Sequence, residues 1–339
     1  MMLVILVLGF IFGAILQYAK LNRYDVISGL AILEDFSVAK AIAVAVGFGA
    51  LLINIEISLG LAAYHVKPFL VGGVILGGLI FGAGMALLGY CPGTLAVSMG
   101  EGSLDAWVGM VGGLFGGWFF TVTLPGIKWI LGPNLGKIAL HTIATSSVVF
   151  ILLMVVFAAI LVGLSFWLHK KEQKSDLKWL YAGVGLAIIN ALVFLSFVAN
   201  RPIGASTTYP YLADVVLGLK NNAYFEKIRQ PGQWELIFLG GAFLAGLIIS
   251  LIKKEFKLVL QHALWKRFKG DAPQMRIIWS FLGGFILIYG ARMAGGCTSG
   301  HILSGGMQIA VSSLVFGAFA LLGLLLTGRW FYAKKEHSV

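Results

Sequence analysis

The chain has 339 residues, of which 59% are apolar and only 12% charged. A soluble domain carries about 25% charged residues, and the apolar residues here fall in runs of about 20, the length that crosses a bilayer core. Composition therefore excludes a soluble globule. The net charge of +11 does not indicate a nucleic-acid surface, because the basic residues lie in loops between apolar runs, the pattern of an oriented membrane protein.

The first run, residues 2–18, has no basic leading segment and no clear small-residue cleavage site, so it reads as a retained span. Further spans are expected at 38–63, 69–89, 104–124, 146–168, 179–199, 234–252, 277–295 and 308–331. The fold class is thus an all-α polytopic membrane protein with about nine transmembrane helices. The stretches 24–34, 94–101, 205–219 and 299–307 are half-apolar and too short to cross. They read as half-helices, which survive at membrane depth only when buried in protein or lining a wet cavity. An odd number of spans puts the termini on opposite faces. Most lysines and arginines fall on the face holding 169–178, 253–276 and the C-terminus, which the positive-inside rule makes cytoplasmic, with the N-terminus outside. In 253–276, Phe256, Leu260, Leu264 and Phe268 recur every four positions among lysines. This reads as a basic amphipathic helix on the inner leaflet, or as a docking site for a cytoplasmic partner.

The only two cysteines, Cys91 and Cys297, are 206 positions apart, too far for a CxxC pair or a zinc site by spacing. Aligning them without gaps places Gly77-Gly78 on Gly283-Gly284, Gly84 on Gly290, Gly89 on Gly295, Ser98 on Ser304 and Gly100 on Gly306. Upstream, Asn22-Arg23 follows the first span as Asn200-Arg201 follows the sixth. The chain therefore divides into a first repeat (1–125), a connector with one span (126–177) and a second repeat (178–339). A single connecting span inverts the second repeat relative to the first. Inverted repeats with paired half-helices are a transporter architecture, with substrate sites near the midplane at the repeat interface.

In Gly89-Tyr90-Cys91-Pro92-Gly93-Thr94 and in Gly295-Gly296-Cys297-Thr298-Ser299-Gly300-His301, a span ends at glycine, the chain turns and a half-helix begins. Pro92 suits the first helical position, and Thr298 and Ser299 suit an N-cap. Free N–H groups and a positive dipole end at each start make a place for an anion. Sulfur adds a soft, polarisable atom and a weak S–H donor, which fits a sulfur-bearing anion better than sulfate or phosphate. A neutral thiol favours transport and a thiolate favours a covalent relay. A free cysteine can also be simply a small apolar residue, a reading weakened here by the matched positions.

Arg292, inside a span, either attracts the anion or forms a structural ion pair, for example with Glu56. His301 either donates to a ligand or bonds a carbonyl. Ser98 and Ser304 read first as packing serines, Asn22, Arg23, Asn200 and Arg201 as capping and snorkelling residues, and Asn190 as a helix–helix hydrogen bond. Cys91, Thr94, Arg292, Cys297, Thr298, Ser299 and His301 are the expected substrate path. No catalytic residue, cofactor or metal site is expected.

The run Tyr90-Cys91-Pro92-Gly93-Thr94 and the longer Gly290-Ala291-Arg292-Met293-Ala294-Gly295-Gly296-Cys297-Thr298-Ser299-Gly300-His301 resemble the YeeE/YedE sulfur-transport family, and the repeat extends the resemblance over nearly the whole chain. The resemblance implies a bacterial inner-membrane protein of inverted repeats that takes up thiosulfate or a related sulfur compound, passed between thiols along a narrow central path. Cys91 and Cys297 are then the two matching relay residues. Thiosulfate-transporting members carry a further cysteine in the first half-helix; here Leu21-Asn22-Arg23-Tyr24-Asp25-Val26-Ile27-Ser28 has none, and Tyr24 or Ser28 would offer a hydroxyl instead. Members work beside small cytoplasmic sulfur-carrier or rhodanese-like proteins; none lies within these 339 residues, so a separate partner is expected. Two other classes compete: a membrane thiol enzyme handling sulfane sulfur, which no CxxC or cofactor signature supports, and a scaffold for a cytoplasmic sulfur carrier.

Overall fold

The computed structural model describes residues 2–333, and every regular element among them is helical. The first half runs α1 (Met2–Tyr18), the half-helix α2 (Tyr24–Ala31), α3 (Ser37–Ser58), α4 (Val71–Leu88), the half-helix α5 (Pro92–Gly100) and α6 (Leu104–Ile127). A four-residue turn, α7 (Leu140–Ile143), leads to α8 (Ser147–Glu172). The second half runs α9 (Lys178–Phe194), the half-helix α10 (Thr208–Val216), α11 (Ala223–Ile252), the short α12 (Ala263–Lys269) and α13 (Pro273–Ala294). A π-helical turn (Thr298–Leu303) running into α14 (Ser304–Met307) forms the last half-helix, before α15 (Val311–Phe331).

Seven of these stretches are long and apolar enough to cross a membrane: α3, α4 with α5, α6, α8, α11, α13 with its following turns, and α15. The chain is a multi-pass membrane protein. The apolar helices α1 and α9 have 17 residues each, about 26 Å at 1.5 Å per residue, a little under the bilayer core of about 30 Å. All four expected half-helices form within a few residues of the expected places.

Packing between the halves is reciprocal. α1 lies on α11 and α3 on α9; α4 packs on α13 at the centre, with α15 beside α4 and α6 beside α13. Lipid tails are as apolar as leucine, so these crossings depend on close backbone approach through small residues. A Cβ on Gly284 would strike the backbone of Gly109 between α13 and α6, and one on Gly82 would strike Ala320 between α4 and α15. The connector helix α8 touches mainly α3 and leaves Ile151, Leu152 and Ile160 exposed, as a lipid-facing surface.

Residues 253–276 do not form one amphipathic helix. The backbone after α11 runs alongside the loop after α5, with Lys257 N donating to Glu101 O, Val259 N to Gly102 O and Leu104 N to Val259 O. Helix resumes only at α12, where the Asp25 carboxylate accepts from Leu264 N at 2.8 Å. These external partners satisfy the backbone that a continuous helix would otherwise have satisfied internally.

Gly89 and Gly295, equivalent in the repeat alignment, end α4 and α13 in the left-handed region, at φ 79° and 76°. Only glycine does this without cost. Gly295 has open space where a Cβ would go, whereas at Gly89 that space holds the Tyr24 ring and Ser28 Oγ. Gly295→Ala is therefore expected to cost about 1 kcal/mol from backbone strain alone, and Gly89→Ala clearly more. Thermal unfolding of the two purified variants checks the order; equal losses would contradict it.

Candidate functional site

Cys91 is the N-cap of α5. Its Sγ accepts from Thr94 N at 3.5 Å, and its own N–H donates to Thr94 Oγ1 at 2.9 Å, a reciprocal capping box with Pro92 at the first helical position. The sulfur is thus held as an acceptor, which leaves its S–H to donate elsewhere. In the second half, Cys297 is buried, in extended backbone, with Sγ 3.3 Å from Ser299 Oγ. Thr298 Oγ1 is buried and finds no partner in the protein.

A cavity of about 260 Å³ lies between the two half-helix starts. Cys91, Gly93 and Thr94 reach it from one half, and Thr298 and Ser299 from the other; its walls include Phe12, Leu16 and Leu324. Cys297 is not part of the lining but touches it through Ser299. Four of the seven expected path residues, Cys91, Thr94, Thr298 and Ser299, line this cavity.

Arg292 lies one turn back along α13 and does not pair with Glu56. Its Nε donates to Tyr224 Oη at 2.8 Å and its Nη1 to Thr207 Oγ1 at 3.0 Å, with Ser206 Oγ at 3.4 Å. Three hydroxyls orient the guanidinium without a carboxylate in bonding contact. His301 has its ring fully engaged: Nε2 lies 2.8 Å from Ala294 O, Nδ1 lies 3.0 Å from Ser313 Oγ, and the ring stacks on Phe316 at 4.6 Å. Of its two readings, the geometry is that of the carbonyl bond.

The broken helices are capped alike. A helix end leaves carbonyls without intrahelical partners. At α13 these are taken by His301 and by Lys67 Nζ, which donates to Gly295 O. At α4, Tyr332 Oη donates to Ala86 O at 3.2 Å, and Arg276 donates to Leu87 O at 3.2 Å and Leu88 O at 2.7 Å. The repeat serines tether the half-helices: Ser98 Oγ donates to Asn22 O at 2.7 Å and Ser304 Oγ to Ile203 O at 3.1 Å. Asn190 Oδ1 lies 2.9 Å from the same Ser304 hydroxyl and accepts from Ile203 N at 3.4 Å, as a bond between segments.

Several residues carried no signal in the sequence. Lys67 comes from the loop before α4 and stands against Gly296 and Gly300, beside the second cysteine. Arg201, which the sequence offered as a capping or snorkelling residue, stacks on Trp234 at 4.4 Å near Glu235. Tyr209, at the start of α10, is buried and donates to Pro92 O at 3.4 Å, one residue after Cys91. Asp105 forms a fully buried pair with Arg276, at 2.5 Å, joined by His262 and Tyr90. Lys67 is one of 25 basic residues and Tyr209 one of ten tyrosines, so only their placement singles them out.

Half-helices whose starts meet around one cavity inside a helical bundle are the architecture of a membrane transport protein. The chain belongs to the Sulphur transport family, whose pattern matches residues 19–326. It is 26% identical over 336 residues to the thiosulfate transporter TsuA of Spirochaeta thermophila, covering 94% of this chain and 95% of that one. It is 21% identical over 360 residues to the TsuA of Escherichia coli K12, covering 98% and 95%.

Proposed function

We propose that the protein carries a small sulfur-containing anion, thiosulfate or a close relative, across the bacterial inner membrane. The observation that carries this is the shared cavity, onto which two half-helix N-termini open, each bringing a thiol or hydroxyl from a different half of the chain. Backbone N–H groups at these ends receive an anion without a counter-charge. The Cys91 S–H, Thr298 Oγ1 and Ser299 Oγ add donors that suit a soft sulfur atom and its oxygens. Cys297 passes the anion onward, and Arg292, Lys67 and Arg201 attract it on the Cys297 side. The relatives' names support the substrate class.

The architecture proposed is nine spans, counting the two 17-residue helices, in two inverted repeats (1–125 and 178–339) around a connector (126–177). Reciprocal packing of α1 with α11 and α3 with α9 supports it, as do the matched left-handed glycines. The basic loops support a cytoplasmic C-terminus and an N-terminus outside. On the cytoplasmic side a separate sulfur-carrier or rhodanese-like protein receives the cargo.

The test is uptake of labelled thiosulfate, sulfite and sulfide into proteoliposomes. Uptake of at least one of these is expected, falling to the level of empty liposomes in the Cys91→Ala/Cys297→Ala variant. Equal uptake by the protein and the double variant, for all three solutes, would remove the proposal.

A further inference from the structure

A second pocket, of about 230 Å³ and polar, lies on the side that the proposed orientation makes cytoplasmic, lined by Arg23, Tyr24, Asp25, Glu101 and His262 among others. It does not share a lining residue with the Cys91 cavity. The segment 21–30 stands between them: Leu21, Ile27 and Leu30 face the cavity, while Arg23, Tyr24 and Asp25 face the pocket. The Tyr24 ring packs on Gly89, two residues before Cys91. The ring therefore stands between the Cys91 turn and the pocket.

The ring is held from several sides. It stacks on His262 at 5.1 Å, meets Tyr90 edge-on at 6.1 Å, and carries the Arg276 guanidinium 4.3 Å from its centre. Its hydroxyl lies 2.7 Å from that of Tyr332. Because Tyr332 donates to Ala86 O, its oxygen accepts from Tyr24. That one bond ties the ring to the chain end of α15 and, through Ala86, to the last turn of α4. Ser28 Oγ, beside the same glycine, is buried next to the Tyr24 and Tyr332 hydroxyls and would meet a solute once the ring has moved.

We infer that the Tyr24 ring is the inner gate of the path, separating the Cys91 cavity from the cytoplasmic pocket, and that the hydrogen bond to Tyr332 latches it shut. This rests on the transport reading above. A side-chain rotation opens such a gate, and no helix has to shift.

The test uses Cys297→Ser as background, which leaves Cys91 as the single thiol, in inside-out vesicles. A membrane-impermeant maleimide reports access to Cys91 from the cytoplasmic side. Tyr24→Ala is expected to raise the labelling rate more than about tenfold. Tyr24→Phe and Tyr332→Phe cut the same bond from either end, and each is expected to raise it about fivefold, the scale of one net hydrogen bond. An unchanged rate in a folded, monodisperse Tyr24→Ala protein overturns the gate; unchanged rates in both phenylalanine variants overturn the latch, and decide the matter if the alanine variant does not fold. Labelling needs no transport. Faster labelling together with no sulfur-anion uptake by the unmodified protein would keep the gate and overturn the transport reading.

Discussion

Asp105→Ala is expected to destabilise the protein by about 3–5 kcal/mol, the loss that follows when one partner of a buried ion pair is removed. Asp105 and Arg276 are both fully buried, and Arg276 Nε and Nη2 reach Asp105 Oδ2 at 3.1 Å and 2.5 Å. Without the carboxylate the guanidinium keeps its charge and has only the carbonyls of Leu87 and Leu88, with the Tyr24 and Trp265 rings beside it. His262 Nε2 and Tyr90 Oη also lose their shared acceptor. The damage falls on the turn that positions Cys91. Replacing both partners by apolar residues, Asp105→Leu with Arg276→Met, removes the stranded charge and is expected to recover part of the loss. It will not recover all of it, because Arg276 also caps α4. Thermal unfolding in detergent distinguishes these outcomes: a double variant no better than Asp105→Ala would show that the capping bonds, not the charge pair, dominate.

Arg292→Gln is expected to lower sulfur-anion uptake by about 100-fold at subsaturating substrate. A unit positive charge about 6 Å from a unit negative one contributes about 3 kcal/mol at an effective dielectric of 20, and 1.4 kcal/mol is tenfold. Glutamine keeps hydrogen-bonding capacity toward Tyr224, Ser206 and Thr207, so the fold is expected to persist. Lys67 gives the same mechanism a pH signature. Burial, with the nearby Arg292 charge adding to it, holds the Lys67 ammonium down at about 8. The charged form is then present below that pH and lost above it, so uptake should fall as pH rises through about 8. Lys67→Met should flatten that limb and lie near the high-pH level throughout. Initial uptake rates between pH 6.5 and 9 check this; a decline that survives in Lys67→Met would assign the titration elsewhere.

How much of this was legible beforehand follows from which forces act locally. The membrane class came from hydropathy, because a span must satisfy its own backbone and face lipid. The four half-helices were readable because each is an apolar stretch too short to cross, set off by glycine, proline or polar residues. The convergence of Cys91, Thr94, Thr298 and Ser299 on one cavity was legible through the repeat, since equivalent turns at Gly89 and Gly295 bring equivalent half-helix starts inward. The amphipathic helix read into 253–276 failed for a reason absent from its own residues: the loop after α5 and Asp25 offered its backbone better partners.

The two cysteines, the left-handed glycines and the helix-starting residues beside them were thus determined by the sequence itself, because capping and turn preferences are set within a few residues. The roles of Lys67, Tyr24, Tyr209, Arg276 and His301 were decided only by the tertiary structure. All but His301, whose partners lie within fifteen residues, meet their partners across a large gap in the chain, Lys67 at Gly295 and Tyr24 at Tyr332 being examples. A lysine, tyrosine or histidine has no local pattern that says which distant helix end it will cap or which passage it will close.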